Sequence, residues 1–319
     1  MRPLVLLLML VATLSAGAQR TLVVAADGSA PFRTVQTAFD AVPLHNRKPV
    51  TIHIRPGVYK EKLRLDSTKR FVTLIGEDAF TTVLTFDDHT GRISPRGDTI
   101  NTYTSASFFA EASDFRARNI TFDNSAGYSA GQAVAIQILG DRVQFEGCRF
   151  TGNQDVLFPA RPATRQYFAH CYIEGTTDFI FGPSTAWFEQ CHINSKRNSH
   201  VTAASTPQEQ AFGYVFNRCI LTTDSTVLTK VSLGRPWRPY ASVTYLRCYM
   251  GGHILPEGWN NWRNPANEKT ARFAEFASFG PGAQPAARAP WIRQLNAAAA
   301  RIITLKAVFG DWDPLKGKW

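Results

Sequence analysis

Apolar and large side chains recur along the middle of this chain in a fixed pattern, five and three positions before each of five cysteines and two positions after it. The sets are Val143, Phe145, Cys148, Phe150; then Gln166, Phe168, Cys171, Ile173; then Ala186, Phe188, Cys191, Ile193; then Tyr214, Phe216, Cys219, Leu221; then Val243, Tyr245, Cys248, Met250. Phe115, Ala117, Ile120 and Phe122 make an earlier turn of the same pattern, with Ile120 at the cysteine position. Alternation of this kind predicts strands with one buried face, and its return every 20 to 30 residues predicts a repeat architecture. No helical pattern separates the strands, so βαβ units are excluded. Strands of this spacing stack as the coils of a parallel β-helix, equivalent residues lying above one another at roughly 4.8 Å. The expected fold class is all-β, a single-stranded right-handed parallel β-helix.

Such a coil needs covered ends. Val35, Ala38, Phe39 and Val42 fall at helical spacing within Thr34 to Val42 and predict a short N-terminal capping helix. The Ala-rich segment Trp291 to Ile303 predicts a C-terminal helical segment. Ahead of the coils, Arg2, the apolar run Leu4 to Val11 and Ala16-Gly17-Ala18 have the form of a secretory signal peptide, residues 1–18, cleaved near Ala18. The run is too short to span a bilayer. The expectation is a secreted or periplasmic protein in which residues 19–319 form one domain, because no linker or low-complexity tract interrupts them.

The formal charge of +10, or +9 once Arg2 is removed, suggests an acidic partner. The basic residues are scattered, which disfavours nucleic acid. Five cysteines in an exported chain would usually suggest disulfides, yet their spacing follows the coil period, so most read as buried thiols. Neighbouring rungs do lie within disulfide reach, and Cys171–Cys191 is the first candidate for a bridge. No short Cys-x-x-Cys or Cys/His cluster suggests a metal site.

Gly127-Tyr128-Ser129-Ala130-Gly131 matches the nucleophile elbow of serine hydrolases, which requires a helix after the serine. The following residues, Gln132 to Ile138, alternate like a strand instead, so the match reads as chance. The informative acids are Asp155 and Asp178, each seven residues beyond a cysteine of consecutive coils. Equal offsets put both carboxylates on one face, about a rung apart. Two such groups cannot both ionise cheaply, and an arginine beside one splits them into an anion and an acid. Singly, a buried Asp in a turn is more often a backbone cap, and a lone Gln or Arg a ladder residue.

Gln132, Gln154-Asp155-Val156-Leu157-Phe158, Gly175-Thr176-Thr177-Asp178-Phe179-Ile180-Phe181-Gly182 and Leu233-Gly234-Arg235-Pro236-Trp237 together resemble the motifs of the pectin methylesterase (pectinesterase) family. Gly57-Val58-Tyr59-Lys60-Glu61 and Pro256-Glu257-Gly258-Trp259 are similar to its early and late signatures. The resemblance implies removal of methyl esters from the galacturonate units of pectin with release of methanol and without a cofactor. It implies Asp178 as nucleophile, Asp155 as general acid/base, Gln132 and Gln154 as oxyanion donors, Arg235 as partner of Asp178 and Trp237 as a substrate-binding aromatic. Phe158, Phe181 and Tyr128 are further candidates for the sugar groove, with Phe179 and Tyr103 beside them. Val156-Leu157-Phe158 stands where the family more often has Thr-Leu-Tyr, and Thr177 where it has Val. The expected partner is pectin, with no nucleic acid or membrane, and the expected state a monomer. A β-helical lyase or glycosidase, an esterase or thioesterase for another acyl group, and a non-catalytic carbohydrate-binding protein remain open alternatives at this point.

Overall fold

The structure, a computed structural model, describes residues 20–316. The expected signal peptide lies outside the described residues. Each coil crosses three parallel sheets in turn, as in Arg165–Ala169, Tyr172–Gly175 and Ile180–Gly182. The next coil repeats the course with Thr185–Glu189, His192–Ser195 and His200–Ala204, pairing Phe168 with Phe188, Ile173 with Ile193 and Phe181 with Ala203. The first sheet has 11 strands, the second 8 and the third 7. These are the stacked coils that the cysteine-centred repeat predicts, and the architecture is a parallel β-helix.

A repeated backbone corner explains the shared offsets. The residue before each cysteine position, namely Asn119, Gly147, His170, Gln190, Arg218 and Arg247, has φ between 50° and 59°. A non-glycine residue pays about 1–2 kcal/mol in this left-handed region. The stacking holds it there, because each corner N–H donates to the following coil: His170 to the Glu189 carbonyl at 3.0 Å, Gln190 to Asn217 at 2.9 Å, Arg218 to Leu246 at 2.9 Å.

Inside, Phe145, Phe168, Phe188, Phe216 and Tyr245 stack in sequence with ring centroids 5.1, 4.7, 4.4 and 4.5 Å apart. These are the residues three before each cysteine. Removing one ring would cost about 3–5 kcal/mol, since its neighbours on both rungs cannot close the gap. The cysteines form a second ladder. After Cys148, each thiol donates to the coil before it: Cys171 to the Phe145 carbonyl, Cys191 to Phe168, Cys219 to Phe188 and Cys248 to Phe216, at 3.3 to 3.6 Å.

All five cysteines are free and buried, as the coil spacing suggests, and the candidate Cys171–Cys191 bridge is not formed. Burial pushes the Cys148 thiol up to about 12 and raises Cys171 and Cys219 as well. Buried and bonded to backbone carbonyls, the ladder behaves as small apolar packing.

The N-terminal helix forms as Val35–Asp40, with Thr34 as N-cap and Val35, Ala38 and Phe39 buried. Phe39 stacks 5.5 Å from Phe108 and closes the coil end. The Glu61 carboxylate accepts the Val35 and Gln36 N–H groups at 2.9 and 3.1 Å, so this early signature residue holds the cap in place. The C-terminal segment differs from expectation. Arg293–Gln294 is a strand beside Arg272–Phe276, and the helix is divided into Ala297–Arg301 and Leu305–Phe309. Asn296 and Thr304 each accept an N–H from the residue three ahead, Ala299 and Ala307, so two caps start two short helices. Ala300, Val308 and Phe309 pack on Tyr167, Trp187, Val215 and Leu246, the outer face of the first sheet.

Candidate active site

The two aspartates sit at the entry to the third sheet, two residues before Leu157–Pro159 and Ile180–Gly182, whose pairing of Leu157 with Ile180 puts them one rung apart. Asp155 N–H donates to the Thr177 carbonyl at 3.1 Å and Asp178 N–H to the His200 carbonyl at 2.8 Å. Both are left-handed, with φ of 63° and 51°. Such strain, of order 1–3 kcal/mol each, persists where the surroundings over-determine it and is characteristic of working sites. The turn leading to Asp178 also requires Gly175. A Cβ there would lie 2.2 Å from the Phe179 Cβ and 2.7 Å from the Asn153 carbonyl.

Asp155 and Asp178 are 7% and 5% exposed. Arg235, in the strand Ser232–Pro236, grips Asp178 with both arms, Nε to Oδ1 at 2.9 Å and Nη2 to Oδ2 at 2.6 Å. Asp155 has no ion pair among the described residues. Burial pushes its carboxyl well above the ordinary value of 3.8, and the neighbouring Asp178 adds to the rise. Burial also raises Asp178, against which Arg235 works by hydrogen bond and charge. The two environments thus order the pair in the expected sense, with Asp155 holding its proton longer, although Arg235 does not fully offset the burial of Asp178. His200 is pushed down to about 4 by burial and by Arg235, which keeps the ring neutral beside the pair.

A cavity of about 220 Å³ opens over these groups, lined by Gln132, Gln154, Asp155, Asp178, Arg235 and Trp237, with Tyr103, Phe181 and Trp262 among its aromatic walls. Gln132 and Gln154 are bridged side by side on adjacent coils. Phe181 stacks 4.2 Å from Phe158, which is buried behind it and does not line the cavity. Tyr128 is exposed on the 127–131 loop, its ring 6.0 Å from Arg197, and it too lies off the cavity. Its neighbour Ser129 is exposed on the same loop, which leads into an extended stretch and the strand Ile136–Ile138 instead of a helix. A nucleophile elbow is therefore ruled out by its backbone.

Trp262 is the residue that sequence reasoning missed. Its ring centroid lies 3.7 Å from the Arg235 guanidinium carbon, in cation–π contact. It stands in an irregular loop after Trp259, outside any repeat, and carries no periodic signal. Among the described residues no group of three or more His, Cys, Asp or Glu side chains could hold a metal ion.

These features define a β-helical protein with a paired-carboxylate cleft. A family model described as Pectinesterase matches residues 21–308. Pectinesterase 31 of Arabidopsis thaliana is 41% identical over 277 residues, covering 85% of this chain and 86% of that protein. Among solved structures, pectin methylesterase from carrot superposes with a TM-score of 0.83 at 29% identity, covering 92% of this chain and 94% of that one. A pectin methylesterase in complex with hexasaccharide VII superposes with a TM-score of 0.80 at 28% identity, covering 92% and 98%. The chain belongs to the pectinesterase family.

Proposed function

We propose that this chain is an exported, monomeric carboxylic ester hydrolase that removes methyl esters from the galacturonate units of pectin, working as a single domain after loss of residues 1–18. The observation that carries the reading is a carboxylate gripped by arginine, Asp178, one rung from an unpaired carboxyl, Asp155, at the floor of an aromatic-walled cavity.

In this mechanism Asp178 attacks the ester carbonyl, and the developing oxyanion is met by side-chain N–H groups of Gln132 and Gln154. Asp155 gives its proton to the departing methanol, then takes one from the water that opens the acyl-enzyme anhydride. Arg235 keeps Asp178 oriented and favours its anionic form. Trp237, Phe181 and Tyr103 offer ring faces to the sugar, while Trp262 backs the arginine. Support for pectin as substrate comes from family membership and from the relative solved with an oligosaccharide. The apolar run at Leu4 to Val11 supports export.

The deciding experiment is incubation with highly methylated pectin, following methanol, chain length and absorbance of unsaturated ends. Methanol without chain shortening or unsaturation is expected. Shortened or unsaturated chains would instead mean a glycosidase or lyase, and faster turnover of small acyl thioesters would replace the substrate.

A further inference from the structure

Asp178 keeps its left-handed backbone, with φ of 51°, although it is not glycine, and Arg235 holds only its carboxylate. The next rung supplies what fixes the corner itself. Leu157, Ile180, Thr202 and Gly234 pair in one row across four coils. Two positions before them stand Asp155, Asp178, His200 and Ser232; three positions before stand Gln154, Thr177, Ser199 and Val231. Thr177 and Ser199 thus follow the oxyanion donor Gln154 along one edge, beside the two acids.

Thr177 ties both acids together. Its carbonyl accepts the Asp155 N–H at 3.1 Å, Asp178 follows it in the chain, and its Oγ1 donates to Ser199 Oγ at 2.9 Å. The His200 carbonyl accepts the Asp178 N–H at 2.8 Å, while the His200 Nδ1 lies 2.6 Å from Ser232 Oγ in a second side-chain hydrogen bond. Ser232 opens the strand Ser232–Pro236 that carries Arg235, and its N–H donates to the Ser199 carbonyl at 2.9 Å. One latch therefore grips the root of the nucleophile. The other ties the root of the arginine to the same rung.

Thr177 stands where the family more often has Val, so the packing of the corner does not need this hydroxyl, and its bond to Ser199 is an addition. We propose that Thr177 and His200 are positioning residues, which act through Ser199 and Ser232 to fix the separation of Asp178 from Arg235 and the aim of the attacking carboxylate. The inference rests on the esterase reading above and adds to it residues that set the rate without contributing to substrate binding. A reacting group misplaced by about 1 Å costs about 10²-fold in rate, so loosening one latch costs several-fold.

The test takes Thr177→Val, which keeps the volume and removes the hydroxyl, and Thr177→Ser, which keeps the hydroxyl. Beside them stand Ser199→Ala, Thr177→Val combined with Ser199→Ala, and Ser232→Ala. For each, kcat and KM on methylated pectin are measured per folded molecule, melting is followed, and a crystal structure gives the contact of Asp178 with Arg235. Thr177→Val, Ser199→Ala and Ser232→Ala should each lower kcat about three- to tenfold with KM within about twofold of the parent. The double variant should be no slower than the slower single one, because both remove the same bond, and Thr177→Ser should keep most of the parental rate.

A latch that serves only folding would lower the melting temperature and leave kcat per folded molecule unchanged, and that result overturns the proposal. Additive losses in the double variant overturn it as well, as does a Thr177→Ser variant as slow as Thr177→Val. A parent that releases no methanol overturns the pectin reading instead, and the crystal structures then decide the latches. A two-armed grip of Arg235 on Asp178 that survives unchanged in Thr177→Val and Ser232→Ala refutes the positioning role, and a displaced one sustains it.

Discussion

Of the arginines that grip a carboxylate with both arms, Arg235 and Arg288 do opposite things. Arg288 holds Glu275 through Nε at 2.8 Å and Nη2 at 3.2 Å, near the last coils. Its remaining N–H groups donate to the Leu255, Pro256 and Gly282 carbonyls, and Trp259 Nε1–H donates to Glu275 at 2.8 Å. The pair is 2% and 5% exposed. The side chains of Arg235 and Asp178 are 22% and 8% exposed; among the described residues Arg235 makes no hydrogen bond beyond that carboxylate, and a face of its guanidinium meets Trp262. Glu275 has no second carboxyl beside it in the first sheet, while Asp178 has Asp155 one rung away.

The difference teaches how to separate a strut from a reactive group. A buried pair with every donor used is neutralised and locked, and its removal is a matter of stability. A pair open to a cavity, with spare donor capacity and an unpaired acid at its side, retains an electrostatic imbalance that chemistry can draw on.

The sharpest way to break the comparison is to neutralise each carboxylate pair and ask what is lost. Asp178→Asn should lower kcat on methylated pectin by about 10⁴-fold or more while the protein stays folded and binds substrate. A variant retaining a tenth of parental turnover would remove Asp178 from the nucleophile role. Asp155→Asn should lower kcat by about 10²–10⁴-fold.

The same substitution sharpens the comparison through pH. A carboxyl whose folded value is raised above 3.8 adds stability that is fully present below the unfolded value and is lost as pH rises through the folded one. Parental melting temperature should therefore decline with rising pH above the ordinary carboxylate range, and Asp155→Asn should remove most of that decline. Activity should fall on the acid side as Asp178 takes a proton, also above the ordinary range, and on the alkaline side as Asp155 loses one. Melting curves and pH–rate profiles check both limbs.

Arg288→Leu should destabilise the fold by about 3–5 kcal/mol, leaving Glu275 buried and unpaired, with turnover per folded molecule little changed. Denaturant titration with an active-site count decides this; a folding-neutral variant with lost turnover would reverse the two assignments. Ser129→Ala should do least, within about 0.5 kcal/mol in stability and without effect on methanol release.

Much of this arrangement was legible from residue spacing. Alternation about the cysteines is a local property that strand hydrogen bonding propagates from coil to coil, so the stack of Phe145 to Tyr245 and the equal offsets of Asp155 and Asp178 follow from counting. The capping helix at Val35–Asp40 was legible for the same reason, since Thr34 and the helical spacing act within a few residues. The C-terminal helix was only half legible, because Asn296 and Thr304 act as caps that an Ala-rich composition masks.

By itself the sequence determined the coil register, and with it that two acids share a face, because register depends on period and backbone pairing, which are repeated at every turn. Only the tertiary structure decided which side chains line the cleft. Trp262 arrives from an irregular loop, Phe158 is screened by the ring one rung on, Tyr128 stays outside, and the thiols of Cys171 and Cys191 stay free and donate to carbonyls. Those outcomes depend on where loops of unequal length return and on what packs against what, and neither is encoded in a period.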